Sequence, residues 1–234
     1  MHIKKIFYLL IGFFSSPVLA SSQSSELWLD ASINDYFQQH EKLNYSLELQ
    51  TRFVDEKDYY EFSYASAALG YRETPNLSFW AGYQRDTQNE ISGAAPENII
   101  WEQMVWQIFE NETMVIRTRT RFEQKNRLHQ NEWGNLFRER ITAFFPDQLF
   151  NIYTPIIYNE FFIKLNQTSW SDTDTFEENR LFIGLAIPTS NTSFLETGYI
   201  QQTVFNDSGN EYNNILYLSI NFNPSGQAIA KYIR

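Results

Sequence analysis

Seven arginines lie in stretches where polar and apolar residues alternate, and three of them follow one another at every second position. One face of this predicted strand carries Arg117, Arg119, Arg121 and Glu123. Side chains alternate across a strand, so the threonines and apolar residues between them occupy the other face. A row of guanidinium groups can bind anions or pair with carboxylates. The chemistry therefore depends on which face lines the interior of the protein.

The same alternation, followed from strand to strand, collects seven arginines and six glutamates on one face. They are Arg52, Arg117, Arg119, Arg121, Arg138, Arg140, Arg180, Glu48, Glu102, Glu123, Glu160, Glu178 and Glu196. This near balance predicts pairing between strands, because unpaired charges in a narrow interior are costly. Two interpretations stay open. The network is either a structural ionic core that fills and braces a small barrel, or the lining of a narrow channel or cleft that attracts an anionic solute.

Support for catalysis is thin. The loop histidine His129, with Glu132, could form an acid–base pair at a barrel mouth, and this defines the alternative of a barrel-embedded hydrolase acting on lipid or peptide at the outer face. A solvated loop histidine is the simpler interpretation. No nucleophile elbow, zinc-binding helix or phosphate loop is present. We therefore expect no catalytic residue, no metal site, no cofactor and no enzymatic activity.

The N-terminus has the pattern of an export signal. Lys4 and Lys5 precede an apolar run over Ile6–Phe14, and Val18-Leu19-Ala20 ends it with the small residues that signal peptidase requires. We predict a signal peptide over residues 1–20 and a single domain over residues 21–234.

The composition narrows the function classes. A formal net charge of −10 argues against nucleic-acid binding, which requires clustered positive charge. The chain has no cysteine, so no disulfide supports the fold of this predicted exported protein.

Period-two alternation recurs along the chain in place of helical periodicity. It is regular in Leu43–Phe53, Leu77–Gln88, Thr113–Lys125, Asn135–Phe145, Glu178–Pro188, Phe194–Val204 and Asn214–Asn223, and less regular in Leu27–Phe37, Phe62–Glu73, Asn98–Glu110 and Ile152–Leu165. Each run is close to the roughly 9–11 residues that a tilted strand needs to cross a bilayer. Short links alternate with longer polar links, as in outer-membrane barrels.

The strand count is predicted as ten to twelve. Ten strands run from Leu43 to Asn223, and Leu27–Phe37 makes an eleventh, although single-chain bacterial barrels have even numbers. Either one weak run is misassigned, Leu27–Phe37 lies elsewhere, or Gln227–Arg234 supplies a partner strand.

Two architectures fit alternating strands: a soluble periplasmic ligand-binding β-protein with apolar residues inside, and a membrane barrel with the pattern inverted. The export signal, the alternating links and the aromatic content of 17% favour the membrane barrel. The six tryptophans are interpreted mostly as interfacial girdle residues near strand ends and in loops. They are Trp28, Trp80, Trp101, Trp106, Trp133 and Trp170.

The order of these residues resembles a bacterial family, the domain of unknown function 2490, over essentially the whole mature chain. The resemblance rests on Trp28, Arg52, Gly70-Tyr71, Gly82-Tyr83, the segment from Glu102 to Trp106, the Arg-x-Arg-x-Arg-x-Glu strand at Arg117–Glu123, Arg138-x-Arg140, Glu160, Arg180 with Gly184, and Glu196-x-Gly198-Tyr199. It implies a predicted outer-membrane barrel with no established activity.

Together these observations predict an all-β protein: an antiparallel up-and-down transmembrane β-barrel in the outer membrane of a Gram-negative envelope. Its expected surroundings are outer-membrane lipid and lipopolysaccharide, with the barrel-assembly machinery during insertion. We expect a porin-like monomer that does not bind nucleic acid.

Overall fold

The protein is described here as a computed structural model covering residues 22–54, 59–88, 95–146, 153–171 and 173–225. These residues form one closed β-barrel of eleven strands. The strands are β1 (Ser22–Phe37), β2 (His40–Val54), β3 (Tyr59–Thr74), β4 (Leu77–Gln88), β5 (Glu97–Glu110), β6 (Val115–Arg127), β7 (Trp133–Phe144), β8 (Thr154–Lys164), β9 (Phe176–Ser190), β10 (Ser193–Val204) and β11 (Glu211–Phe222). The predicted all-β barrel is confirmed. The predicted signal peptide, residues 1–20, lies outside the described residues.

The outside of the barrel is largely apolar and much of its inside is polar, which is the inverse of a soluble β-protein. On β2, Leu47 and Leu49 are 49% and 60% exposed, whereas Asn44 and Gln50 on the opposite face are buried. Leucines pointing away from the lumen suit contact with lipid chains, and polar side chains suit a wet interior. A two-sheet sandwich is excluded, because the strands close into a single ring. No helix in the described part of the chain is long and apolar enough to cross a membrane.

The ring closes through a parallel pair, β1 with β11, while every other neighbouring pair is antiparallel. The predicted antiparallel up-and-down barrel is confirmed, with this one parallel pair where the ring closes. With eleven strands that alternate in direction, the first and last run the same way and must pair in parallel. The run Leu27–Phe37 is therefore a true barrel strand. The alternative partner, Gln227–Arg234, lies outside the described residues.

A ladder of polar side chains crosses this parallel seam on the lumen side. Ser24 donates to Asn213 at 2.8 Å, Ser219 donates to Asp30 at 2.7 Å, and Ser32 donates to Asn221 at 2.8 Å. Parallel pairing is slightly weaker per residue than antiparallel pairing. These bonds between directly paired residues add stability where the backbone ladder supplies less.

The glycine of a recurrent Gly-Tyr pair leaves room for an aromatic side chain inside the barrel. At Gly82 an added Cβ would lie 2.3 Å from Cζ2 of Trp101, so the indole lies directly over the glycine. Tyr83, the next residue, points outward and is 48% exposed. Trp28 and Trp101 are buried inside the barrel at 2% and 4% exposure, which corrects their placement in interfacial girdles.

The ionic lumen, a candidate functional site

One cavity of about 1070 Å³ runs through the lumen and is lined by residues from both rims. Arg72, Asn76 and Ser225 line it at the rim of the short turns. Arg127 and Glu177 line it at the rim of the longer links. The cavity lining among the described residues thus extends from one rim to the other.

The structure places eleven of the thirteen predicted network residues on the wall of this cavity. They are Arg52, Arg117, Arg119, Arg121, Arg138, Arg140, Arg180, Glu48, Glu123, Glu178 and Glu196. A further residue, Glu160, points inward and is fully covered by its neighbours, with 0% exposure.

Glu102 is the exception, because it lies exposed on the outer face of β5. Its neighbours Trp101 and Gln103 line the lumen, and side chains alternate along the strand. The prediction failed here because β5 has large apolar residues on both faces, so the alternation does not distinguish inside from outside.

Glu160 is the centre of the ion-pair network. Its Oε1 accepts hydrogen bonds from Arg119 Nη2 at 2.5 Å and from Arg138 Nη2 at 2.8 Å. Its Oε2 accepts from Arg140 Nη2 at 2.9 Å. Arg140 and Arg180 flank Glu160 directly on the adjoining strands β7 and β9. Three guanidinium groups thus converge on one buried carboxylate.

Glu123 extends the network toward the rim of the longer links. Its Oε1 accepts from Arg138 Nη1 at 2.6 Å, and Arg121 Nη1 lies 3.5 Å away. Arg138 therefore bridges Glu123 and Glu160. We call the inward-facing arginines of β6, β7 and β9, apart from Arg127 at the rim, the arginine wall; they are Arg117, Arg119, Arg121, Arg138, Arg140 and Arg180.

Aromatic rings hold several of these guanidinium groups in place. Arg121 stacks on Trp101 at 4.0 Å, and Arg52 lies 3.8 Å from the ring centroid of Trp28. Arg138 lies 4.3 Å from the ring of Phe162. Such contacts are stronger when desolvated. Sequence reasoning missed these aromatic partners, although Trp28 and Trp101 have the parity of the inward face.

Two arginines of the wall are partly exposed to the lumen. The side chains of Arg119 and Arg140 are 20% and 25% exposed, against 0% for their shared partner Glu160. The Nε of Arg119 is buried and has no hydrogen-bond partner among the described residues. A solute in the cavity would therefore have access to these two guanidinium groups.

Carboxylates gather on the opposite side of the lumen. Counted around the ring, Asp30 on β1 lies five strands from β7 in one direction, and Glu48 on β2 lies five strands from β7 in the other. Tyr64 donates to Glu48, and Glu196 on β10, between the seam and the β9 edge of the arginine wall, interacts electrostatically with Asp30. Glu48 interacts electrostatically with Arg121, and Glu196 with Arg140, so these carboxylates lie within electrostatic reach of the arginine wall. We call Asp30, Glu48 and Glu196 the acidic arc; Asp30 was not predicted, although it shares the parity of Trp28.

The longer links are tied together at the outer rim. Glu132 accepts the Ser169 backbone N–H at 2.6 Å, and this bond lowers the pKa of the Glu132 carboxyl. Hydrogen bonds from the hydroxyl and backbone amide of Thr173 lower the pKa of Asp207. His129 is exposed with φ of 68°, and Glu132 is engaged with Ser169. The geometry does not bring these two together as an acid–base pair.

Comparisons with known proteins agree with this architecture. The family model "Protein of unknown function (DUF2490)" matches residues 25–213. An uncharacterized protein of Methylorubrum extorquens is 26% identical over 201 residues, covering 85% of this chain and 87% of that protein. The NanC porin structure matches with a TM-score of 0.51 at 10% identity, covering 78% of this chain and 86% of that one. The chain therefore belongs to the DUF2490 family of proteins of unknown function.

Proposed function

We propose that the protein is an outer-membrane channel whose lumen is a narrow, water-filled passage between the arginine wall and the acidic arc. The cavity lined from both rims is the observation that supports this most directly. The fold similarity to a porin agrees with it. A channel also needs no active-site constellation, and the geometry at His129 supplies none.

Bracing and conduction are compatible in this arrangement. Glu160 and Glu123, 0% and 2% exposed, neutralise arginines inside the wall and hold it rigid. Arg119 and Arg140 still present part of their guanidinium surface to the passage. The fixed positive charges of the arginine wall create a field across the lumen. Small anions should follow the arginine wall, because low-dielectric surroundings strengthen that attraction.

The outer surface of the barrel indicates the surroundings of the protein. Exposed leucines such as Leu49 and Leu216, at 60% and 54%, suit contact with outer-membrane lipid, and lipopolysaccharide would adjoin the outer rim. Export by a signal peptide cleaved after Ala20, and insertion by the barrel-assembly machinery, complete the proposal.

Conductance in planar bilayers tests the passage. We expect small discrete current steps with a preference for anions. The double variant Arg119→Gln with Arg140→Gln should reduce that preference, because both groups face the passage. Arg85→Gln is the matched control: this arginine lies on the outer face of β4, hydrogen-bonded to Asn98, and its loss should leave selectivity unchanged.

Folding is checked in the same preparations by electrophoresis with and without boiling, since a folded barrel migrates differently when unheated. A barrel that shifts on boiling yet carries no current would reject the channel and leave the bracing role alone. Equal effects of the lumen and control variants would reject the assigned role of Arg119 and Arg140.

A further inference from the structure

Two arginines contact the same indole inside the lumen. The guanidinium carbon of Arg52 lies 3.8 Å from the ring centroid of Trp28, its directly paired neighbour, and that of Arg180 lies 4.8 Å from it. Phe62 and Phe162 add a second ring contact to each arginine, at 4.4 and 4.6 Å. All five side chains line the cavity. We call Arg52, Trp28 and Arg180 the arginine–indole cluster.

Only one of these two arginines forms an ion pair among the described residues. Glu178 binds Arg180 through both carboxylate oxygens, since Nε donates to Oε1 and Nη2 donates to Oε2. Arg52 donates its Nε to the neutral amide of Gln50 at 2.7 Å. Glu178 and Glu26 attract Arg52 at longer range, while the charge of Arg180 repels it. In the described part of the chain, nothing accepts a hydrogen bond from the two Nη groups of Arg52.

The donors that remain on Arg52 suit a particular kind of anion. The contacts with Trp28 and Phe62 hold the guanidinium group in place, and the side chain is half-buried, so a solute in the cavity can reach it. A guanidinium group presents its N–H donors as a rigid fork, which matches two oxygens of a carboxylate or a phosphate group. A spherical anion such as chloride matches that fork less well.

The position of the cluster makes it accessible from one end of the barrel. Arg52 lies close to the end of β2, and Arg180 lies close to the start of β9. Both of these strand ends belong to the rim of the longer links, because strands alternate in direction around the ring. The cluster therefore lies in the half of the lumen nearer that rim.

We propose that the arginine–indole cluster is a binding site for an oxyanion, either a carboxylate or a phosphate group. The Nη groups of Arg52 bind two of its oxygens, and the charge of Arg180 adds to the attraction. The bound anion supplies the negative charge that Arg52 lacks, so it reduces the repulsion between the two arginines. This site deepens the proposed channel and rests on it for the route by which the anion arrives, whereas binding itself requires no current.

Binding to the folded barrel in non-ionic detergent tests the site. Sodium acetate and inorganic phosphate are titrated separately, with sodium chloride keeping the ionic strength constant. Tryptophan fluorescence reports occupancy, because Trp28 contacts both arginines. We expect at least one probe to bind saturably, and Arg52→Gln to weaken that binding about tenfold through the lost charge-assisted hydrogen bonds.

Two further variants separate the site from the general charge of the lumen. Arg72→Gln is the matched control, because Arg72 also lines the cavity but lies at the rim of the short turns, hydrogen-bonded to Asn44. Its loss should leave the affinity unchanged. Arg52→Lys keeps the positive charge and removes the fork, so it should also weaken binding. Mobility with and without boiling confirms that each variant is folded.

Three results would overturn the proposal: no saturable binding of either probe, equal weakening by Arg52→Gln and Arg72→Gln, or full affinity in Arg52→Lys. A barrel that conducts in planar bilayers without saturable binding rejects this site and keeps the channel. A barrel that binds a probe at Arg52 and carries no current keeps this site and rejects the channel.

Discussion

Replacing Glu160 with glutamine should be the most damaging conservative substitution in the lumen. The change keeps the shape of the side chain and removes the single charge on which Arg119, Arg138 and Arg140 converge. Arg138 retains Glu123 at 2.6 Å, but Arg119 and Arg140 lose the carboxylate that neutralises them. Breaking a buried ion pair by removing one partner costs about 3–5 kcal/mol. Because both arginines are partly exposed to the lumen, we expect a loss of about 3 kcal/mol, near the lower end of that range.

Urea unfolding of the barrel in lipid vesicles, followed by tryptophan fluorescence, measures this loss. Glu112→Gln is the charge-matched control, because Glu112 is exposed in the turn between β5 and β6; its effect should stay within about 0.5 kcal/mol. Adding Arg119→Gln to Glu160→Gln should recover part of the loss by removing an uncompensated charge. If Glu160→Gln unfolds at the same urea concentration as the native chain, the account of the arginine wall is wrong.

Three further perturbations address the seam, the glycine packing and the outer rim. Ser32→Ala removes the hydroxyl bonded to Asn221 across the seam, and should cost about 1 kcal/mol in the same urea assay. Gly82→Ala drives a methyl group into Trp101 and should cost about 1–3 kcal/mol with altered tryptophan emission. The lowered pKa values of Glu132 and Asp207 predict outer-link contacts that hold above the ordinary pKa values of 4.5 and 3.8 and weaken as pH falls through the folded-state values. Distances between spin labels at Gln130→Cys and Gln167→Cys should then lengthen.

A different result would contradict each of these three predictions. Ser46→Ala, a lumen serine away from the seam, should be near neutral, and a loss as large as that of Ser32→Ala would remove the special role of the ladder. Unchanged emission and stability in Gly82→Ala would show that the indole has room to move. Label distances that stay constant at low pH would show that other contacts hold the outer links.

Alternation along each strand was enough to predict the barrel and most of its lumen. Arg117, Arg119 and Arg121 point inward as expected, because period two is a local property that a strand cannot change without turning every side chain over. The same rule failed at Glu102, where both faces of β5 are rich in apolar residues. The prediction that Trp28 and Trp101 belong to interfacial girdles was also wrong, because an aromatic residue suits either a girdle or a lumen wall.

The register between neighbouring strands could not be predicted from the residue pattern within each strand. The convergence of three arginines on Glu160 depends on how β6, β7 and β8 align, and no single strand contains that information. The closing pair is the same kind of case: Asp30 meets Ser219, a partner 189 residues away. From the sequence, the odd strand number suggested a misassigned run, a strand lying elsewhere or a missing partner strand, and it is instead the cause of the parallel seam.

Blocking the lumen chemically tests the channel most directly. Gln103→Cys places a single thiol inside the barrel beside Arg121, whose Nε donates to the native Gln103 at 2.8 Å. Met104→Cys places it one residue further, on the outer face. A bulky thiol reagent added during bilayer recording should reduce the conductance of Gln103→Cys and leave Met104→Cys unchanged. Conductance that is insensitive to modification at position 103 would contradict a passage along the arginine wall.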